Sequence, residues 1–254
     1  MSGFIKFLGT GGARFVVSKQ LRSTAGIWLN YKDTNVYIDP GPGAIVKIRT
    51  SKTRLEPEKL DGIILTHKHL DHSNDVNVLI EAMTEGGFRK RGVLVCPKDA
   101  VSGEAVIFSN FITKLDRVDL MEEGKSYTIK GISFATPVKH IHPVETYGLV
   151  FHFEPTIGII SDTKYFEALC EHYKTDILIV NVLRSRPIEK NDEIDHLSLS
   201  DFVTLVNSIR PRLAIMTHFG MSLIRERPHI LAERLTHEIG IEIIAAYDGM
   251  TVDF

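Results

Sequence analysis

Short apolar runs separated by polar turns dominate the first half of the chain. Runs of this length, bounded by glycine, proline, asparagine or aspartate, are typical of β-strands. They predict strands at Phe4–Leu8, Ala25–Tyr31, Val36–Ile38 and Gly62–Leu65, and a β-rich stretch over Val118–Phe153. Strands therefore outnumber helices in this half.

In the second half, apolar runs of strand length alternate with stretches of helical periodicity. The predicted strands are Ile157–Ile160, Ile177–Val182, Leu213–Met216 and Glu242–Ala246. Apolar positions on one face, with glycine stops, predict helices at Asn74–Glu85, Lys164–Tyr173, Ser200–Ser208 and Ile230–Ile239. The pattern indicates an α/β protein with a two-layered β core and helices outside. With no repeat, linker or low-complexity segment, residues 1–254 are expected to form a single domain.

Composition narrows the class of protein. The 254 residues suffice for one large core, and 43% hydrophobic with 24% charged residues is ordinary for a soluble protein. A net charge of −2 gives no global basic field, which argues against a protein that grips extended nucleic acid. No signal peptide or membrane-length apolar stretch is visible, so a cytoplasmic location without membrane contact is expected. Cys96 and Cys170 are expected to be buried thiols.

One short motif carries most of the chemical information. Residues 66–72 read Thr-His-Lys-His-Leu-Asp-His, directly after the predicted strand Gly62–Leu65. Imidazole and carboxylate groups bind divalent transition metals. Side chains alternate along an extended segment, so His67 and His69 point the same way, and a following turn can bring Asp71 and His72 to an adjacent metal. A solvated loop is the simpler alternative, but four potential ligands in six positions argue against it.

Further potential ligands follow other predicted strands or lie between them. They are Asp39, His140, His142, Asp162, His196 and His218. Taken singly, each has a structural explanation: a turn or cap for the aspartates, and a helix cap or a solvated side chain for the histidines. For the helix near Ser200, Ser198 is a better capping candidate than His196.

Taken together, these residues resemble the motifs of the metallo-β-lactamase superfamily, in the order Asp39, residues 66–72, His142, Asp162, His218. The resemblance covers essentially the whole chain and is greatest to the phosphodiesterase branch, which includes tRNase Z and the cyclic phosphodiesterase of phosphonate metabolism. Three features carry this closer resemblance: the glycine-rich start Phe7–Ala13, the spacing of His142 to Tyr147-Gly148, and His196-Leu197-Ser198.

The resemblance implies a four-layer αβ/βα sandwich with two divalent metal ions at one edge. His67, His69 and His142 would hold one metal, Asp71, His72 and His218 the other, and Asp162 would bridge them. Only the spacing to Tyr147-Gly148 favours His142 over His140. Asp39 would orient a ligand histidine from the second shell. Zinc is expected, although manganese and iron suit the same ligands.

For the chemistry, the sequence predicts a metal-bridging hydroxide that attacks phosphorus in line. Asp71 and His196 are the candidate catalytic residues, and His196 would stabilise the developing charge or protonate the leaving oxygen. Arg184 and Arg186 are candidates for binding the substrate phosphate, with solvated surface arginines as the alternative. Glycines 9, 11 and 12 could form a loop near this site.

Two absences shape the substrate prediction. Only a hairpin-length segment separates Tyr147-Gly148 from Asp162, where bacterial tRNase Z inserts its tRNA-binding arm, and residues 14–20 replace the cysteine-rich zinc site of the phosphonate enzyme. The expected substrate is therefore a small or cyclic phosphodiester or a nucleotide. The alternatives are a tRNase Z-like RNA endonuclease, a thioester or lactone hydrolase, an iron-dependent sulfur oxidase, and a catalytically silent scaffold. A homodimer would be typical of the branch.

Overall fold

A computed structural model describes residues 3–186 and 195–254, and most of them belong to two seven-stranded mixed sheets and the helices that cover them. The first sheet contains β1 (Gly3–Phe7), β2 (Ile27–Tyr31), β3 (Thr34–Ile38), β4 (Gly62–Ile64), β5 (Val93–Cys96) and β6 (Arg117–Leu120). The second contains β7 (Lys125–Ile129), β8 (Ile132–Thr136), β9 (Leu149–Phe151), β10 (Ile157–Ile160), β11 (Ile177–Asn181), β12 (Leu213–Thr217) and β13 (Glu242–Ala245). The last strand, β14 (Thr251–Asp253), returns to the first sheet beside β1.

Both sheets follow the same plan, with antiparallel strands on one side and parallel strands on the other. The first has the order β14-β1-β2-β3-β4-β5-β6 and is parallel from β3 to β6. The second has the order β13-β12-β11-β10-β9-β8-β7 and is parallel from β10 to β13. Parallel neighbours need crossover connections, and these supply most of the helices.

The helices are short, and several sit in these crossovers. They are α1 (Arg14–Lys19), α2 (Ala44–Thr50), α3 (Leu70–Ser73), α4 (Val76–Met83), α5 (Ser109–Ile112), α6 (Ala168–His172), α7 (Leu199–Ile209), α8 (Met221–Arg225) and α9 (Pro228–Ile239). Within the described residues, no helix has the length and apolar character that a membrane crossing requires.

Three apolar clusters bind the layers together. The central one, which includes Phe134 and Phe151, contains inward-facing side chains from both sheets. A second cluster packs α4 against the outer face of the first sheet, and a third packs α7 and α9 against the outer face of the second. Buried apolar area is the main stabilising term in such packing. The layer order is therefore helix, sheet, sheet, helix, which confirms the predicted αβ/βα sandwich.

Local boundaries differ from the sequence prediction in several places. The predicted helix Lys164–Tyr173 is wrong at its start, because α6 covers only Ala168–His172. The Lys164 amide donates to the Ile141 carbonyl and the Thr163 hydroxyl donates to the Lys164 carbonyl, so these backbone groups are not available for helical hydrogen bonds.

Cys96 and Cys170 are both buried and form no disulfide, as expected.

Candidate metal centre

The predicted ligands meet where the two sheets present the C-terminal ends of their parallel strands. Residues 66–72 follow β4, Asp162 follows β10, and His218 follows β12. His142 lies in the connection between β8 and β9. Such strand ends leave a crevice that suits ligands in α/β folds, because each chain turns away from the sheet there.

His67, His69 and His142 form the first group of potential ligands. Their nitrogens all lie within 4.8 Å of one another. His69 Nδ1 and His142 Nε2 are 3.0 Å apart, and the two rings meet nearly edge-on at 76°. Nitrogens that converge in this way can share a single metal ion.

Asp71, His72 and His218 form the second group, again within 4.8 Å of one another. His72 Nε2 and His218 Nε2 are 3.0 Å apart, and His218 Nε2 lies 3.5 Å from Asp71 Oδ2. His67 and His69 thus lie in the first group, whereas Asp71 and His72, which belong to the short helix α3, lie in the second.

Asp162 lies between the two groups and is almost completely buried. Its Oδ2 atom is 3.6 Å from His67 Nε2 and 3.5 Å from His72 Nε2, while Oδ1 is 3.5 Å from His218 Nδ1. The Asn181 side-chain amide donates to Oδ1 over 2.9 Å and holds the carboxylate in place. One carboxylate thus faces both sets of histidines.

The cluster fits divalent metal ions on two grounds. Two buried imidazole nitrogens, His67 Nε2 and His218 Nδ1, have no hydrogen-bond partner among the residues that the structure describes. A buried polar atom without a partner is costly, so a bound cation is a natural partner for each of them. The donor set consists of imidazole nitrogen and carboxylate oxygen, which zinc, manganese and iron all accept.

The electrostatics agree for most of the ligands. Burial lowers the pKa of His67 well below its usual range, and the neighbouring His72 charge lowers it further. Burial alone would raise the pKa of Asp162, but the charges of His218, His196 and His72 reverse this and hold it well below its usual range. Neutral imidazole and ionised carboxylate are the states that bind metal.

His72 is the exception. Burial acts to lower its pKa, but the carboxylates of Asp162, Asp71 and Asp39 raise it well above its usual range. Because an imidazole binds metal only in its neutral form, these carboxylates are the groups that would make metal binding at His72 depend on pH.

Asp39 anchors residues 66–72 through contacts with Thr66 and His72. Its carboxylate accepts hydrogen bonds from the Thr66 amide at 2.7 Å and from the Thr66 hydroxyl at 2.7 Å, and it lies 3.0 Å from His72 Nδ1. With Nδ1 donating to Asp39, His72 turns Nε2 toward Asp162. Such outer contacts fix the tautomer and orientation of metal-binding histidines.

The structure brings His142, and not His140, into the candidate centre. His140 Nε2 contacts the Tyr173 hydroxyl at 2.9 Å, its Nδ1 contacts Ser161 Oγ at 3.2 Å, and burial lowers its pKa to about 3. Both of its nitrogens are therefore occupied. His142 Nδ1 donates to the Asp195 carbonyl at 2.9 Å and leaves Nε2 facing His69.

His196 lies at the edge of the centre, beyond the two ligand groups. Its Nδ1 is 3.6 Å from Asp162 Oδ2, and its ring centroid is 5.1 Å from that of His142. Burial lowers its pKa to about 4, against the raising effect of Asp162. Ser198, and not His196, caps α7 through a capping box with Asp201, so the imidazole is not used as a cap.

The glycine-rich loop, which the sequence analysis considered as a possible neighbour of the site, makes close contact with two of the ligands. The Ala13 amide donates to Asp71 Oδ2 at 3.0 Å. At Gly12, an added Cβ would lie 2.2 Å from the His218 ring. The signal was present in residues 9–12, where three glycines occur among four positions, but only the fold shows what they approach.

Arg184 and Arg186 do not enter either ligand group. The backbone of Arg184 pairs with that of Ser198 in an isolated parallel β-bridge, and the side chain of Arg186 is exposed. Both line a separate cleft with Ser222 and Arg225.

Comparison with known proteins agrees with this fold and site. The profile of the beta-lactamase superfamily domain matches residues 34–219, so the chain belongs to this superfamily. It is a metal-dependent hydrolase, as the probable metallo-hydrolase YhfI of Bacillus subtilis among its relatives also indicates. A protein of Methanocaldococcus jannaschii, described only as uncharacterized, is 33% identical over 98% of this chain and 94% of its own length. Ribonuclease Z of Thermococcus kodakarensis is 39% identical over 77 residues, which are 30% of this chain and 23% of that enzyme.

Solved structures show the same architecture. The metallo-beta-lactamase fold protein YhfI from Bacillus subtilis superposes with a TM-score of 0.78 at 16% identity, covering all of both chains. A diphosphatase of the PhnP family superposes with a TM-score of 0.71 at 21% identity, covering 100% of this chain and 98% of that one. With the ribonuclease Z match, these relatives confirm the predicted resemblance to the phosphodiesterase branch.

Proposed function

We propose that the protein is a dinuclear metal-dependent phosphodiesterase that hydrolyses small or cyclic phosphodiesters or nucleotides. One observation carries the proposal: Asp162 faces both ligand groups, and His196 stands beside it as an additional imidazole, in a further set of potential ligands with His142 and Asp162. With three ligands from each group and Asp162 already available for two ions, this imidazole is free to act on the substrate.

In this proposal the residues form two metal sites, and His196 lies beside them where the substrate would react. His67, His69 and His142 would hold one ion, Asp71, His72 and His218 would hold the other, and Asp162, which faces both groups, would be shared by them. Zinc is the expected metal. Bound there, two such ions would lower the pKa of coordinated water and offset charge on the phosphoryl oxygens.

The chain's own groups complete the site. His196 stabilises the charge that develops on the phosphoryl group or donates a proton to the leaving oxygen. Asp71 is positioned by the Ala13 amide, so its carboxylate cannot rotate away from His218. Residues 1–254 act as one catalytic domain.

The short β9–β10 hairpin supports a small substrate. Leu149–Phe151 pairs with Ile157–Ile160, and only five residues connect the two strands. A long tRNA-binding arm has no place in this hairpin. The names of two relatives, a ribonuclease Z and a diphosphatase, both denote attack at phosphorus.

A tRNase Z-like RNA endonuclease is the second candidate, and the 39% identity to ribonuclease Z over 77 residues favours it. A panel on metal-loaded protein separates the candidates: bis-p-nitrophenyl phosphate, cyclic nucleotides, precursor tRNA, and a lactone. Turnover of the first two without precursor tRNA cleavage supports the proposal. Turnover of the lactone alone contradicts both candidates.

His196→Ala tests the catalytic assignment. We expect the variant to bind both metals, because the three ligands of each group and Asp162 remain, and to lose at least about 100-fold in turnover of bis-p-nitrophenyl phosphate. His237→Ala, which removes an exposed imidazole from α9, is the matched control and should keep full activity. Near-native turnover by His196→Ala would show that the assigned role is wrong.

A further inference from the structure

The segment after β11 is held between the two loops that carry His196 and His218. The Leu183 amide donates to the Leu197 carbonyl at 3.1 Å, and the Leu183 carbonyl accepts from the Gly220 amide at 3.1 Å. The Arg184 carbonyl accepts from the Leu199 amide at 2.8 Å. Backbone hydrogen bonds on both sides therefore fix the segment Leu183–Arg184 relative to the candidate centre.

Beyond this segment lies a cleft of about 340 Å³, which is large enough for a small anionic group and part of its carrier. The cleft is lined by Arg184, Ser185, Arg186, Ser222, Arg225 and Glu226. Among the described lining residues, the exposed guanidinium groups of Arg186 and Arg225 stand against one carboxylate, that of Glu226. None of these residues belongs to the ligand groups of the candidate centre.

The guanidinium groups of Arg186 and Arg225 have no ion-pair partner within residues 3–186 and 195–254. Some arginines elsewhere do pair, for example Arg49 with Glu58 and Arg117 with Asp119, so what distinguishes this cleft is that two such groups line the same concave surface. The cleft also offers a hydroxyl donor: the exposed Ser222, which lines it, accepts at Oγ from the Ser185 amide at 3.2 Å and keeps its own proton to donate. Paired guanidinium donors and hydroxyls are typical of phosphate recognition.

We infer that this cleft is a second anion subsite, which binds a phosphate group of the substrate other than the one that is hydrolysed. The inference rests on the proposed phosphodiesterase function and narrows its substrate class. The preferred substrate carries at least two phosphates, either a terminal phosphate on a short nucleotide or the next backbone phosphate of an oligonucleotide. Arg225 and Ser222 join Arg184 and Arg186 in this role.

The test compares substrates that all contain the UpU diester and differ in the phosphate groups added to it; UpUpU has two such diesters, which by itself accounts for only about a twofold increase. Metal-loaded protein is given UpU, its 5′-phosphorylated form pUpU, its 3′-phosphorylated form UpUp, and UpUpU, and kcat/KM is measured for each. We expect at least one of the last three to exceed UpU by about tenfold or more, since each adds a charge-assisted contact. A preference for pUpU or UpUp identifies a terminal phosphate, and a preference for UpUpU alone identifies a backbone phosphate.

Two variants then locate the preference. The preference is the ratio of kcat/KM for the preferred substrate to kcat/KM for UpU. Arg225→Gln should lower this ratio by about tenfold. Arg225→Lys should keep only part of the ratio, because lysine has the charge but not the paired donors of the guanidinium group. Arg234→Gln is the matched control: it removes an exposed arginine of α9 that lies outside the cleft, and it should leave the ratio unchanged. Thermal unfolding of each variant checks that the fold is intact.

The outcomes separate the inference from the proposed function. If UpU is cleaved and no added phosphate improves kcat/KM, the subsite is wrong and the proposed function stands. The same holds if Arg225→Gln leaves the preference intact. If no dinucleotide is cleaved, the proposed function is still judged by bis-p-nitrophenyl phosphate and cyclic nucleotides, and the subsite is judged by binding: the Kd of pUpU or UpUp must rise about tenfold in Arg225→Gln, and an unchanged Kd overturns it.

Discussion

At the scale of single residues, the candidate centre depends as much on hydrogen-bond partners as on ligands. Asp39 accepts two hydrogen bonds from Thr66 and contacts His72 Nδ1. Sequence reasoning could find Asp39 because it ends an apolar strand. It could not find Asn181 beside Asp162 or the Asp195 carbonyl beside His142, because those contacts join residues 19 and 53 positions apart.

Replacing Asp39 tests this supporting role. In Asp39→Ala, His72 loses the acceptor that orients its ring, so we expect metal affinity to fall by about 10- to 100-fold without loss of the fold. Competition with a chromogenic chelator measures the affinity. Asp33→Ala, at the exposed turn before the same strand, is the control. Unchanged affinity in Asp39→Ala would mean that His72 is oriented by other contacts.

The choice between His140 and His142 shows what spacing can and cannot settle. The distance to Tyr147-Gly148 pointed to His142 by resemblance alone. The physical reason lies in partners that the sequence does not display, since Tyr173 and Ser161 occupy both nitrogens of His140.

At the scale of elements, the glycine-rich loop is the part of the site that patterning described least well. Residues 9–12 read Gly-Thr-Gly-Gly, and the short helix α1 that follows was not predicted at all. Hydrophobic periodicity is uninformative over six residues, and the loop conformation is set by its contacts with Asp71, Ser23 and Phe219. The strand β14 was missed for a similar reason: three residues carry too little pattern, and pairing with β1 decides their conformation.

A methyl group at Gly12 tests the close approach of this loop. In Gly12→Ala the new Cβ would lie 2.2 Å from the His218 ring, so either the loop or the imidazole must move. We expect a loss of turnover of at least about tenfold, because a displacement of about 1 Å in a catalytic site can cost 100-fold. Gly131→Ala is the control, since its Cβ would meet only Thr34 Oγ1 at 3.0 Å. Equal activity in both variants would contradict the packing described for Gly12.

The N-terminal ends of the neighbouring strands β10 and β11 offer a test of pH-dependent stability away from the metal centre. Hydrogen bonds from the Thr156 side chain and backbone lower the pKa of Asp176. A carboxylate whose pKa is lower in the folded chain contributes stability above its unfolded pKa of about 3.9, and the contribution is lost as pH falls through the folded pKa.

We therefore expect Asp176→Asn to be less stable than the native protein at pH 6, with a difference that shrinks as the pH approaches 3. Urea unfolding of both proteins in EDTA measures this, because EDTA removes any contribution from bound metal. A difference that stays constant, or grows on acidification, would show that the Asp176 carboxylate is not held in its charged form.

At the scale of the whole molecule, the candidate centre joins the two halves of the sandwich. Residues 66–72 come from the first sheet, whereas His142, Asp162 and His218 come from the second. Alternating strands and helices were enough to predict the layered fold, because the layers follow from which faces are apolar. The meeting of two sheet edges could not be read from patterning and came from the resemblance.

Metal removal should therefore lower the stability of the whole domain. A ligand present at about 100 times its Kd stabilises the folded state by about 2.7 kcal/mol. In a chain of this size that corresponds to a fall in Tm of about 5–10 °C when EDTA is added. Calorimetry of the native protein with and without EDTA measures the shift. Asp162→Ala, which lacks the bridging carboxylate, should show little shift, and an equal shift in both proteins would contradict the bridging role.

The most direct test is a titration of metal-free protein with zinc while hydrolysis of bis-p-nitrophenyl phosphate is followed. The account predicts that turnover rises with added zinc and reaches its plateau at about two ions per chain. A plateau at one ion per chain, or no turnover at two, would contradict a dinuclear phosphodiesterase.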